Sequence, residues 1–252
     1  MSDPWFCAWN HRFGFPASYT AFDLVTSGID PETDLIIEAG FCLVRNGRVE
    51  DRHSIVLDWG QESTIDSQWL RARLKQTASR MEWRDGVRTP QFYPFDFDAV
   101  VREGMHPRLA LTAFGNVLSE AQERGVCLVA HNGWWFDVPF LNSQTQKWLG
   151  LELDLDPGLF YDTAMIKKAS LLGEFPRAEE SLGDFWTRVA GIRGQASRWS
   201  LHDHCLPEYG LTRLYWLNSN RAGRADQEAY AVYLVMEEFR RRATLHNESQ
   251  LV

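Results

Sequence analysis

The dipeptide Asn46-Gly47 stands between two apolar runs, residues 35–44 and 49–57. Both residue types accept the positive φ angles of a two-residue turn whose twist matches that of paired strands, so this is the strongest hairpin signal a short stretch of sequence carries. A third β-branched and aliphatic run, 19–24, precedes them across the turn-forming loop Ser27-Gly28-Ile29-Asp30-Pro31. Three strands therefore open the chain after an irregular lead to about residue 17. Apolar residues at helical spacing over 107–125 then run into the short apolar strand Cys127-Leu128-Val129-Ala130. A helix over 138–149, a strand over 159–161 and a helix capped by Asp162-Thr163 follow. The remainder reads as helical, with 222–242 the longest stretch. A hairpin beside strands interleaved with helices implies an α/β fold, a mixed five-stranded sheet flanked by helices. The polar and aromatic segment 59–101 yields no assignment.

The chain has 252 residues, enough for one large domain that buries its core without disulfides or metal staples. It reads as a domain over 18–245 with an insertion at about 59–101, a lead over 1–17 and a tail over 246–252. Hydrophobic residues make up 44% and charged residues 24%, which excludes disordered, collagenous and membrane classes. The scattered Cys7, Cys42, Cys127 and Cys205 contain no CxxC pair, as expected of a reduced, cytoplasmic chain. No apolar stretch reaches the roughly eighteen residues of a membrane span and the first residues lack a signal-peptide pattern, so no membrane partner is expected. A net charge of -8 argues against coating long nucleic acid by counterion release, but leaves room for gripping a short end. Of the eleven tryptophans, most are expected to pack and a minority to stack on bases.

Three segments carry candidate chemistry. Asp23 lies at the carboxyl end of the first strand, where α/β folds place their ligands. The segment Leu128-Val-Ala-His-Asn-Gly-Trp-Trp-Phe-Asp137-Val-Pro-Phe-Leu-Asn142 runs from a buried strand through a polar turn to an acidic helix start. Asp226 lies within the last helix. Together with the stretch from Ala21 to Gly40, these segments resemble the DEDD exonuclease superfamily, which includes the DnaQ-like proofreading exonucleases and ribonuclease T. The resemblance covers residues 19–239.

It implies an RNase H-like fold and a 3′-to-5′ exonuclease that hydrolyses phosphodiesters at single-stranded nucleic-acid 3′ ends with Mg²⁺ or Mn²⁺. Such hard cations prefer carboxylate oxygens, and two of them about 4 Å apart activate water and stabilise the leaving oxygen. By similarity Asp23, Asp137 and Asp226 are the catalytic metal ligands. Two departures stand against full activity. The family's Asp-x-Glu motif reads Asp23-Leu24-Val25, and alternation along a strand sets Val25 on the same face as Asp23. The family's general base falls on Arg221 or Ala222, neither of which takes a proton from water. The three aspartates with Arg221 balance one divalent ion rather than two. One weakly held ion is expected, with Glu38 a substitute ligand or a structural group and Arg221 free to grip a phosphate.

His131, Asn132, Trp134 and Trp135 complete the substrate-contacting candidates. His131 is expected to hold its turn by hydrogen bonds, one of the two tryptophans to stack on a terminal base, and Asp162 to cap the helix after it. His202-Asp203-His204-Cys205 has metal-ligand residue types without a partner pair at zinc spacing, and is expected on a helical surface. Two functions remain: a weak exonuclease, or a catalytically silent module of the same fold that binds nucleic acid or a protein.

Overall fold

A computed structural model describes residues 4–66, 68–72, 79–84, 87–92, 97–192, 200–217 and 224–249. Strands β1 (Tyr19–Thr26), β2 (Ile36–Arg45) and β3 (Arg48–Val56) form an antiparallel meander. A two-stranded ribbon, β4 (Ser79–Arg84) with β5 (Val87–Phe92), lies within the unassigned segment. Strands β6 (Cys127–Ala130) and β7 (Phe160–Asp162) run parallel to β1, giving the sheet order β3-β2-β1-β6-β7. The expected mixed five-stranded sheet is the one observed. Asn46 and Gly47 adopt φ of 51° and 72°, as the hairpin turn requires.

Among the described residues the helices of six residues or more are α1 (Pro4–Arg12), α2 (Phe97–Glu103), α3 (Pro107–Glu123), α4 (Asp137–Leu149), α5 (Thr163–Leu172), α6 (Leu182–Gly191), α7 (Thr212–Leu217) and α8 (Ala225–Ser249). Two apolar cores cover the two sheet faces, because alternate residues of each strand point to opposite sides. Phe22 and Leu24 join Phe114 and Leu118 of α3 and Phe140 and Leu141 of α4. Tyr19 and Ala21 join Ile166, Phe185, Val232 and Phe239 on the face covered by α5, α6 and α8. Among the described residues no helix is long and apolar enough to cross a membrane.

The N-terminal lead is not irregular. It forms α1, whose Trp5, Phe6 and Trp9 are buried in the α8-side core, Phe6 stacking near Phe239 at 5.0 Å between ring centroids. The burial of three large aromatic rings outweighs a segment with little intrinsic helix preference. The tail beyond 245 continues α8 to Ser249.

Gly40 fixes how α8 crosses the sheet. A Cβ there would lie 2.0 Å from the backbone carbon of Ala225 and 2.1 Å from the amide nitrogen of Asp226. Only glycine lets the helix start rest on β2, and Gly40 pairs with Asp23 of β1. The same residue thus brings the amino end of α8 beside the strand that carries Asp23.

Candidate functional site

The candidate residues gather at the carboxyl ends of the parallel strands β1, β6 and β7, the edge at which open α/β sheets bind their ligands. Pairing places Asp23 opposite Gly40 and Val25 opposite Glu38. Asp23 is half-buried, whereas Val25 is only 6% exposed. Its branched alkyl group lies directly across from a buried acid, so no donor oxygen stands at the motif's second position.

The turn between β6 and α4 is built around two buried carboxylates. Asp162 accepts backbone N–H bonds from Asn132, Trp134, Ala164 and Met165, so it caps α5 and also holds the preceding turn in place. Burial pushes its pKa up to about 6, and these four amides pull against that rise. Asn132 takes φ of 61°, a left-handed conformation that asparagine tolerates. His131 shares a 2.9 Å hydrogen bond between Nδ1 and Thr163 Oγ1, the turn-holding role its sequence context suggested. Asp137 begins α4 and accepts the Leu24 N–H at 3.0 Å. Burial raises its pKa to about 8, with the charge of Asp162 adding to the rise and the Leu24 amide opposing it.

The two tryptophans separate. Trp134 packs edge-on against Phe160 at 5.1 Å, while Trp135 is 47% exposed. Trp135 is therefore the more accessible ring of the two. Arg221 and Ala222 lie outside the described residues.

The last aspartate is already engaged. Arg52 of β3 directs Nε and Nη2 at Asp226 Oδ2, each at 2.9 Å, and also bonds Gln227. Its guanidinium lies over the ring of Tyr230, 5.1 Å from the centroid. Glu38, 1% exposed, accepts Arg224 Nε at 2.7 Å. Arg224 further donates Nη2 to Ser54 Oγ at 2.8 Å and stands 3.6 Å from Glu103 Oε2. Burial raises the Glu38 pKa, Ser54 and Arg224 lower it, and the charge of Asp226 raises it again. Sequence inspection missed Arg52 and Arg224. Strand alternation was the available signal, since it sets Arg52 and Ser54 on the face of β3 that β2 presents through Cys42 and Gly40.

Among the described residues no group of three or more His, Cys, Asp or Glu side chains is arranged to hold a metal ion. The segment 201–205 is not a solvated helical surface: it is one π-helical turn with Leu201 and Cys205 in the core. His202 contacts Glu228, whose other oxygen accepts the Tyr215 hydroxyl at 3.1 Å. Core packing of its apolar members turns this segment inward.

The mixed five-stranded sheet with its flanking helices is an RNase H-like fold, and solved exonucleases share it. Among solved structures, the zinc-bound complex of E. coli exonuclease I with single-stranded DNA aligns with a TM-score of 0.51 and 12% identity, over 92% of this chain and 42% of that one. Exonuclease I from Methylocaldum szegediense gives 0.53 and 13%, over 91% and 41%. The 3′-exonuclease that recognises the 3′ end of a histone mRNA stem-loop gives 0.52 and 15%, over 89% and 64%. The chain thus spans about two fifths of the exonuclease I chains and just under two thirds of the third. No family model and no curated protein matches it in sequence.

Proposed function

We propose that this chain grips the 3′ end of a single-stranded DNA or RNA at the carboxyl ends of β1, β6 and β7 and holds it without cleaving it. The observation that carries the proposal is Val25, buried opposite Glu38 where the fold's hydrolytic members need an acidic oxygen. Loss of a metal ligand costs at least the roughly 10- to 100-fold that follows from disturbing a supporting residue alone. A missing general base costs about 10² to 10⁴ in rate.

The donor set does not fit a pair of divalent cations. Asp226 is bonded to Arg52 and Glu38 to Arg224, so two acids of this region are already neutralised by guanidinium groups and the site is left with charge for a single, weak ion. Binding needs less. The half-buried Asp23, the exposed Trp135 and the turn at Asn132 belong to this end of the sheet, and stacking on Trp135 suits any base because every base has a π face. His131 and Trp134 support the turn from behind. Arg221 supplies a guanidinium for a phosphate. The survival of Asp23 in β1 and of Asp137 at the start of α4, joined to β1 through the Leu24 amide, favours residual hydrolysis as the second reading, with Mg²⁺ or Mn²⁺ as the ion.

End recognition is tested by fluorescence anisotropy with linear and circular single strands of one sequence. Tighter binding of the linear strand, abolished by a 3′-terminal blocking group, is expected. Equal affinity for both forms would contradict an end-gripping site.

A further inference from the structure

The Asp226–Glu38 side of the site contains two acids that a metal-dependent site would leave to cations, and each has a guanidinium on it. Arg52 approaches Asp226 through two nitrogens at 2.9 Å and is itself held by Gln227 and Tyr230. Arg224 approaches Glu38 at 2.7 Å and is held by Ser54 and Glu103. Both arginines come from separate elements, β3 and the residue before α8, and both have side chains 24% exposed. We infer that Arg52 and Arg224 are permanent counter-ions that stand in for a divalent cation here, so that Asp226 takes no part in binding Mg²⁺ or Mn²⁺.

The physical grounds are charge and geometry. Guanidinium–carboxylate bonds are charge-assisted and directional, and arginine stays charged at every physiological pH. A metal ion claiming Asp226 would have to break both Arg52 bonds and bring a second positive charge up against a partly buried guanidinium, which is unfavourable. The acids of this region thus keep their place in the fold while losing their function as ligands. Removing the charge of Arg52 reverses the situation, because Asp226 then loses the two guanidinium bonds that occupy its carboxylate.

The test uses the whole chain with Mn²⁺ alone and no nucleic acid, so its outcome is separate from that of end binding. Mn²⁺ affinity is read from the electron paramagnetic resonance of the free ion, and folding from circular dichroism. Asp226→Asn is expected to leave the native chain's Mn²⁺ affinity unchanged. Arg52→Gln is expected to strengthen it about tenfold or more, the scale on which single site residues act, with Asp226→Asn removing the gain. Arg52→Lys keeps the charge and is expected to show no gain. Loss of Mn²⁺ affinity on Asp226→Asn in the native background would overturn the inference. So would a folded Arg52→Gln variant that gains nothing, or a Lys variant that gains as much. If Arg52→Gln does not fold, the native and Asp226→Asn comparison still decides the matter.

Discussion

The backbone amide of Leu24 donates to the carboxylate of Asp137 at 3.0 Å, tying β1 one residue past Asp23 to the first residue of α4. The two acidic segments of the site are thereby joined by a bond that a neutral amide oxygen can also accept. Asp137→Asn keeps the acceptor and removes the buried charge. The folded-state pKa of Asp137, about 8, lies above that of an unfolded aspartate, so its contribution to stability is fully present below pH of about 4 and is lost as pH rises through about 8. In chelator, Asp137→Asn is expected to melt several degrees higher than the native chain at pH 9 and to lose that advantage toward pH 5. A gain of about 1 kcal/mol corresponds to roughly 2–4 °C. Asp137→Ala strands the Leu24 amide and is expected to cost about 1–3 kcal/mol at pH 5.

Gly40→Ala drives a methyl group into the backbone of Ala225 and Asp226. Backbone cannot yield as a side-chain tip does, so the start of α8 must lift. Urea denaturation is expected to show a loss of about 1–3 kcal/mol or more.

The two neighbouring tryptophans are expected to divide by phenotype. Trp135→Ala weakens single-strand binding by about 1–3 kcal/mol at unchanged melting temperature. Trp134→Ala, which removes the contact with Phe160, lowers the melting temperature. Anisotropy titrations and thermal melts on the same two variants check both statements. The opposite assignment would show that the exposed ring does not meet the nucleic acid.

Val25→Glu sets a second carboxylate directly across from Glu38, and like charges at paired positions destabilise a sheet. The variant is expected to melt below the native chain in chelator and to recover part of the loss on adding Mn²⁺. Recovery with Na⁺ at equal ionic strength instead would point to screening rather than coordination.

Those parts of the fold governed by local rules were legible in the sequence. Asn46-Gly47 specified its hairpin, and the apolar run 127–130 leading to Asp137 specified a strand, a turn and a helix start. Asp162 was legible as a helix cap, though its bonds to Asn132 and Trp134, which make it the support of the neighbouring turn, join residues about thirty positions apart. Helix α1 was missed because its stability comes from Trp5, Phe6 and Trp9 meeting a core assembled from distant segments. Arg52 was missed for a related reason: its partner Asp226 is 174 residues away, and nothing local marks one arginine on a polar edge strand as the counter-ion of a helix start.

The most direct test of the central claim is nucleotide release from 3′-labelled single-stranded DNA and RNA with Mg²⁺ or Mn²⁺. The native chain is compared with Asp137→Ala and with a Val25→Glu, Arg52→Gln, Arg221→His triple variant, which also frees Asp226 from its guanidinium. Bound but uncleaved strands with the native chain, together with release by the triple variant, are expected. Release by the native chain that Asp137→Ala abolishes would contradict the account and establish a nuclease that works with its altered site.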